Sequence, residues 1–140
     1  MMEEKKKLPL GGPTSRANSA PAAQFKHRRL EVWQLGRELV KQIYELSRNF
    51  PASEMHGLTN QIRRAAISVP SNVAEGSSRQ TKADFIHFLV MARGSLAEVD
   101  TQLVLAEDLG YVKDSTKAHS CVEDLSIRIN HLISHIRSGG

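Results

Sequence analysis

The chain has 140 residues, a length that suits one domain, and its apolar content of 40% is enough to bury a core of ordinary size. Aromatic residues make up only 5% of it, which favours an aliphatic helical core over a β-sandwich. The net charge of +4 is compatible with a polyanionic partner but is too small to require one.

Cysteine usage and hydropathy indicate a cytoplasmic protein. The single cysteine, Cys121, excludes an intramolecular disulfide and fits a reducing compartment. The basic run of residues 5–7 is followed by proline and glycine instead of the apolar segment of a signal peptide. The longest apolar run, residues 88–92, is far too short to span a bilayer, so we expect no membrane partner.

Residues 1–24 differ in composition from the rest of the chain. They hold three of the five prolines and show no hydrophobic period. Such a segment cannot bury enough apolar surface to offset the entropy lost on ordering. We therefore expect a disordered tail over residues 1–24 and one domain over residues 25–140; the alternative is that the tail lies upstream of the true start of the protein.

Helical periodicity recurs four times along the chain. Apolar residues at alternating steps of four and three predict a first helix over about 30–49, which Pro51 ends because proline restricts the residue before it. A second helix is predicted over about 54–75, with Ser53 as its N-cap and Pro70 inside it. The proline removes one backbone hydrogen bond, at a cost of ~3 kcal/mol unless packing compensates.

The third helix is the most regular, with apolar residues at heptad spacing for three repeats. Thr81 and Asp84 resemble a capping box at its start, and Gly110 predicts its end. A fourth helix is predicted over about 114–137. Heptad spacing favours shallow left-handed packing, and short connections force neighbouring helices to run antiparallel. The predicted fold is all-α: an antiparallel up-down-up-down four-helix bundle.

Two of the predicted helices carry more apolar residues than one core-facing stripe needs. One interpretation is a wide surface that faces the core. The other is a subunit interface, because a small monomer rarely leaves such a stripe in water. The extra residues are Trp33, Val40 and Tyr44 on the first helix, and Ile86, Val90, Ala97 and Val104 on the third.

Several separate motifs follow one another between residues 25 and 136. They are Val32-Trp33, Phe50-Pro51 with Glu54, Gly57-Leu58, Gln61 to Ala66, Asn72 to Gly76, Ala92 to Ser95, and Leu109-Gly110-Tyr111. In these motifs the chain resembles the four-helix bundle protein family, also called the 23S rRNA-intervening-sequence protein family. The resemblance implies a compact antiparallel bundle that assembles into a ring-like homopentamer and has no established enzymatic activity.

The same resemblance implies partners. Some members of the family are encoded inside intervening sequences of large-subunit ribosomal RNA genes. The related accessory proteins of diversity-generating retroelements bind nucleic acid and a reverse transcriptase. Further copies of the chain, and RNA or a nucleoprotein, are the partners that the resemblance implies.

Four polar residues stand at helical spacing in the second and third helices. Asn72 and Glu75 are three residues apart, as are Ser95 and Glu98, so each pair shares a helix face. We interpret the four as a structural polar network that sets the register of the helices, because buried polar groups must be paired. A ligand or partner site is the alternative.

The sequence offers little support for metal chemistry or catalysis. Di-metal centres in helical bundles use Glu-x-x-His motifs, which are absent here; the nearest match is Asp84 with His87. His131 and His135 stand one turn apart, but the sequence supplies no evident third ligand. We therefore expect neither an enzyme nor a bound cofactor or metal.

The basic residues are the one feature with a functional mechanism attached. In an oligomer each basic patch is repeated, so a modest charge per subunit becomes a large local field that phosphate backbones can sense. The alternative is an ordinary solvated surface whose cations are balanced by nearby glutamates. The candidate nucleic-acid-binding residues are Lys26, Arg28, Arg29, Arg37, Lys41, Arg63 and Arg64.

These observations predict a binding module. It is a cytoplasmic, non-enzymatic homo-oligomer, pentameric by resemblance, that engages RNA or a nucleoprotein mainly through backbone electrostatics. The alternative hypothesis is an oligomeric scaffold or adaptor that binds another protein and has no role with nucleic acid.

Overall fold

Four α-helices make up residues 25–139, the part of the chain that the computed structural model describes. They are α1 (Glu31–Ser47), α2 (Leu58–Ser77), α3 (Lys82–Asp108) and α4 (Thr116–Arg137). Short 3₁₀ helices, Lys26–Arg29 and Ala52–Glu54, precede α1 and α2. The described residues form no strand. The predicted disorder of residues 1–24 lies outside the described residues.

Consecutive helices pack against each other and run antiparallel. In each neighbouring pair, contacts join residues whose numbers rise along one helix and fall along the other. Examples are Gly36–Pro70 and Ser47–Arg63 between α1 and α2, Ser68–Ser95 and Gly76–Phe85 between α2 and α3, and Arg93–Asn130 and Asp100–His119 between α3 and α4.

The fourth helix closes the bundle by packing against the first. Arg128 of α4 bonds Glu31 of α1 at 2.6 Å. Within residues 25–139 the backbones of the diagonal pairs, α1 with α3 and α2 with α4, stay apart. The predicted up-down-up-down four-helix bundle is confirmed.

The core between the helices is aliphatic, as the low aromatic content predicts. Phe50 is the single aromatic side chain in the buried core of the described residues. The largest fully buried side chains come from all four helices: Leu39, Ile43, Ile62, Val69, Val73, Leu89, Leu96, Val99, Leu103, Leu125 and Ile129. No helix in this part of the chain combines the length and the apolarity that crossing a bilayer demands.

Helix α2 begins four residues later than the pattern predicts. A 3₁₀ helix occupies residues 52–54, and the carboxylate of Glu54 accepts a hydrogen bond from the backbone N–H of Leu58 at 3.0 Å. The prediction of Ser53 as the N-cap is wrong, because the longer side chain of Glu54 reaches the first turn across Gly57.

Helix α2 continues through Pro70, and packing explains why. Gly36 of α1 lies against the proline ring, where a Cβ on residue 36 would come within 3.1 Å of the Pro70 Cβ. The missing side chain brings the two helices close together at this point. The resulting contact offsets the hydrogen bond that the proline removes.

Both ends of α3 match the prediction. The Thr81 hydroxyl accepts the backbone N–H of Asp84 at 3.1 Å. At the other end Gly110 has a φ of 77°, and the N–H groups of Gly110 and Tyr111 return to carbonyls of the last turn at 3.0 and 2.9 Å. This is the Schellman arrangement that a glycine after a helix indicates.

The extra apolar residues of α1 and α3 differ in their exposure to solvent. Trp33, Val40 and Ile86 are half-buried against the core, as a wide core-facing surface requires. Three residues of α3 are exposed instead. Val90 is 38% exposed, Val104 is 42% exposed, and Ala97 is also exposed. Tyr44 on α1 is 38% exposed. Helix α3 therefore presents an apolar stripe to solvent.

Candidate nucleic-acid interface

The structure separates the seven candidate nucleic-acid-binding residues into groups. Lys26, Arg28 and Arg29 occupy the 3₁₀ helix before α1, and all three are exposed. The side chain of Gln34 donates a hydrogen bond to the Arg28 carbonyl at 2.8 Å and ties this turn to α1. Across residues 25–139, none of the three cations forms an ion pair with a carboxylate.

Aromatic rings pack against this basic turn and lie beside its cations. The His27 ring meets the Trp33 ring edge to face at 5.0 Å, which anchors the turn on α1. Phe25 is 50% exposed beside it, and the Arg28 guanidinium lies 6.0 Å from the centre of the Phe25 ring. The turn therefore offers cations for phosphate groups and an aromatic face on which a base can stack.

Arg37 and Lys41 lie farther along α1, on the groove between α1 and α2. The Arg37 guanidinium stands 5.2 Å from the centre of the Trp33 ring. The Lys41 ammonium lies 3.7 Å from a carboxylate oxygen of Glu38. Lys41 thus has a carboxylate partner in its own helix, unlike the three cations of the basic turn, whereas Arg37 has an aromatic partner.

Arg63 and Arg64 are consecutive residues with different environments. Arg63 is half-buried, donates a hydrogen bond from Nε to the Ser47 hydroxyl at 2.8 Å, and lies 4.5 Å from the centre of the Tyr44 ring. It therefore holds α2 against α1. Arg64 is exposed, because successive helical side chains point about 100° apart.

The four residues of the predicted polar network do not join into one network within residues 25–139. Ser95 is buried and bonds the Ser68 hydroxyl of α2 at 2.5 Å. Asn72 donates to the Ser68 carbonyl in its own helix. Glu75 and Glu98 are exposed. The polar bridge between α2 and α3 is instead this pair of serines, and the predicted set omitted Ser68, one turn before Asn72.

The motif residues at the α1–α2 and α3–α4 connections meet at one end of the bundle. The Glu54 carboxylate accepts hydrogen bonds from the Leu58 N–H and from the Tyr111 hydroxyl at 2.8 Å. The Tyr111 ring lies 5.7 Å from the ring of Phe50. A Cβ on Gly57 would come within 2.6 Å of the Glu54 carboxylate. These motif residues therefore serve the fold.

The hydrogen bonds at Glu54 also shift two pKa values. The Leu58 amide, followed by the Tyr111 hydroxyl, lowers the pKa of Glu54, because both donate to the charged carboxylate. The bond to Glu54 raises the pKa of Tyr111, because it stabilises the protonated phenol. The bundle end is thus most stable with Glu54 ionised and Tyr111 neutral.

Replacing Glu54 with Gln is expected to remove a pH-dependent part of the stability. Because the folded-state pKa lies below the ordinary value of 4.5, this part is complete above about pH 4.5 and is lost as the pH falls through the lowered pKa. The Tm of Glu54→Gln should lie below that of the wild type at pH 7, and the gap should shrink below pH ~4.5. A gap independent of pH, or the same behaviour in the exposed control Glu45→Gln, would contradict this role.

A histidine bridge joins α3 to α4. His119 Nδ1 lies 3.0 Å from Asp100, and Nε2 lies 2.9 Å from Glu107, which also accepts a hydrogen bond from the Ser115 hydroxyl. The two carboxylates bind opposite sides of one ring, so they do not converge on a point where an ion could sit. In residues 25–139 no three His, Cys, Asp or Glu side chains gather as metal ligands do.

One known protein family matches most of the chain. The family model described as 23S rRNA-intervening sequence protein matches residues 28–134. The match runs from the basic turn to the last turns of α4 and includes α1, α2 and α3 completely. Among curated proteins, none has a sequence that matches the chain significantly. Because the family model covers well over half of the chain, the protein belongs to the 23S rRNA-intervening sequence protein family.

Proposed function

We propose that this protein is a non-enzymatic homo-oligomer that binds RNA through the basic turn formed by Lys26, Arg28 and Arg29. The observation that carries the proposal is the grouping of three exposed cations, without carboxylate partners among the described residues, beside the exposed ring of Phe25. The description of the family, which refers to 23S rRNA, supports RNA as the polyanion.

The geometry of the turn suits phosphate contacts. A 3₁₀ helix has three residues per turn, so Lys26 and Arg29 lie on the same face, and Arg28 extends the charge to one side. Lys and Arg contacts to phosphates release counterions and carry no sequence information. Stacking on Phe25 would add affinity for unpaired bases, because single-stranded segments and loops expose their faces. The expected ligand is RNA with single-stranded parts, bound with little sequence preference.

Assembly would bring several copies of this weak binding site together in one molecule. In a ring every copy presents its basic turn at the same rim, so one RNA can engage several turns at once with a high effective concentration. We propose a pentamer, which for a chain of 15.5 kDa has a mass of about 78 kDa. The exposed apolar stripe on α3 supports assembly, since monomers seldom leave such a surface in water.

The environments of Cys121 and His119, the two side chains considered for catalysis, support a non-enzymatic role. Burial raises the pKa of the Cys121 thiol, which disfavours the thiolate that would act as a nucleophile. Both ring nitrogens of His119 are engaged by carboxylates of α3, so neither is free to act as a general base toward a substrate.

The test is a salt titration of RNA binding with two matched triple variants. Lys26→Ala/Arg28→Ala/Arg29→Ala removes the basic turn. Arg48→Ala/Lys113→Ala/Lys117→Ala removes three exposed cations from the opposite end of the bundle. The first variant should bind both structured and single-stranded RNA more weakly. Its plot of log affinity against log salt should be shallower by about 2 for each basic turn that the RNA engages, because each turn loses three phosphate contacts. The control should change little.

Two results would overturn the proposal. Equal weakening in the two variants would show a response to net charge without a site. No detectable binding of either kind of RNA by the intact oligomer at ~50 mM salt would favour an oligomeric adaptor for another protein. Light scattering on the same samples reports whether the oligomer is intact.

A further inference from the structure

A cleft lies between the basic turn and the C-terminal half of α2. Phe25, Lys26 and His27 line one wall, and a face of α2 forms the other wall. The cleft has a volume of about 660 Å³, within the range of about 300–1,000 Å³ that is usual for small-ligand pockets. The ring of Phe25 is half-exposed here, so a ligand in the cleft can contact it. We call this feature the turn cleft.

The α2 wall of the turn cleft is polar and offers hydrogen-bond acceptors. Ser71, Glu75 and Ser78 follow one another at steps of four and three residues, so they share one face of the helix, and all three are exposed. The Ser78 hydroxyl donates its proton to the Glu75 carbonyl at 2.7 Å. Its oxygen can therefore only accept a further hydrogen bond. This wall thus favours a ligand that brings donors.

The carboxylate of Glu75 is the strongest acceptor on this wall, and Arg79 orients it. Arg79 donates a hydrogen bond to Glu75 Oε2 at 2.7 Å, and its guanidinium lies 4.8 Å from the centre of the Phe88 ring. Within residues 25–139, Glu75 Oε1 accepts no hydrogen bond. A carboxylate has about four lone-pair sites, so both oxygens can still accept donors from a ligand. The Arg79 cation also offsets the charge of Glu75, which by itself would repel a phosphate group.

We propose that the turn cleft binds one unpaired guanine base of the RNA. The Phe25 ring stacks on the face of the base, and the α2 wall accepts hydrogen bonds from its edge. The Watson–Crick edge of guanine carries two adjacent donors, the N1–H and the N2 amino group, which a carboxylate can accept together. The same edge of adenine, cytosine or uracil has a single donor group with an acceptor beside it, which a carboxylate repels.

This inference rests on the RNA binding proposed above and adds the base that the site prefers. Lys26 belongs both to the basic turn and to the wall of the turn cleft, so phosphate and base contacts adjoin each other. Contacts to phosphates still supply most of the affinity and carry no sequence information. The preference therefore concerns one nucleotide of a ligand that is otherwise bound without regard to sequence.

The test compares short oligouridines that differ at one central nucleotide. This position holds guanosine, inosine, adenosine, cytidine or uridine, and inosine is guanosine without the N2 amino group. At ~50 mM salt the wild type should bind the guanosine oligomer about tenfold more tightly than those with adenosine, cytidine or uridine, as a bidentate base contact predicts. The inosine oligomer should bind with intermediate affinity, because it keeps one of the two donors.

Two variants with the same change of charge show whether Glu75 supplies the preference. Glu75→Gln replaces one carboxylate oxygen with an amino group, so it should remove most of the preference for guanosine. Glu98→Gln removes an exposed carboxylate from α3, outside the cleft, and should leave the preference intact. A general gain in affinity for polyanions is the same for all oligomers and cancels in the ratio of affinities. Circular dichroism checks that both variants are folded.

A third variant tests the stacking contact. Phe25→Ala should weaken binding of the guanosine oligomer and leave the slope of log affinity against log salt unchanged, because stacking releases no counterions. Unchanged affinity in this variant would show that the base does not lie on the Phe25 ring, and the inference would be wrong.

The outcomes separate this inference from the proposed function. Failure of the wild type to bind any of the oligomers or structured RNA overturns both. Equal affinity for all the oligomers, or a preference for another base, overturns the guanine site alone and leaves RNA binding by the basic turn intact. A preference for guanosine that Glu75→Gln retains, or that Glu98→Gln also removes, also overturns it. Equal affinity for the inosine and guanosine oligomers contradicts the contact with two donors.

Discussion

Replacing Ile129 with alanine is expected to destabilise the protein by about 2–5 kcal/mol, the largest effect of a single substitution that we predict. Ile129 is fully buried in the middle of α4, where it belongs to the aliphatic core shared by the four helices. Truncation removes the transfer free energy of its side chain and leaves a cavity that the helices can only partly fill. Urea unfolding at a fixed protein concentration measures the loss.

The neighbouring Ile127 supplies a matched control. It stands two residues earlier in the same helix and is 53% exposed. Ile127→Ala should change the free energy of unfolding by less than about 0.5 kcal/mol, because exposed substitutions seldom do more and alanine favours the helix. Similar losses at the two positions would contradict the assignment of the core face of α4.

Replacing Gly76 with alanine is expected to destabilise the protein by about 1–3 kcal/mol through overpacking. Gly76 lies at the end of α2, where the chain turns into α3. A Cβ there would come within 2.8 Å of the Phe88 Cβ and 3.2 Å of the Phe85 carbonyl oxygen. The backbone contact cannot move aside without shifting the first turns of α3. Thermal unfolding at a fixed protein concentration measures the effect as a lower Tm.

Gly94 provides the corresponding control for glycine. It lies in the middle of α3, and a Cβ at this position would meet no atom within 4 Å. Gly94→Ala should therefore raise stability by up to about 1 kcal/mol, because alanine has the higher helix propensity and no contact opposes it. If Gly76→Ala raised the Tm in the same way, the close approach of α2 and α3 at Gly76 would be refuted.

The candidate site could be predicted in part. The sequence placed Lys26, Arg28 and Arg29 beside one another, and their exposure follows from their charge. It did not distinguish Arg63, which packs between α1 and α2, from the exposed Arg64 that follows it. That difference depends on where Ser47 and Tyr44 of another helix lie, which local spacing does not encode.

The predicted polar network shows the same limit. Helical spacing predicted that Asn72 with Glu75, and Ser95 with Glu98, share a face, but it could not say how closely α2 approaches α3 or which of the four residues lie at the contact. At the actual separation a serine pair bridges the helices, and both glutamates extend into solvent. The distance between two helices is set by every side chain along their contact, so no single motif determines it.

The sequence by itself determined the four helices, most of their ends and the antiparallel order. These features depend on hydrophobic period, capping residues and connection length, all of which act between residues close in the chain. Only the tertiary structure decided that Glu54 caps α2 while bonding Tyr111, that Gly36 accommodates Pro70, and that the stripe on α3 is exposed. Each of these depends on residues distant in sequence, and their separation is set only when the helices pack.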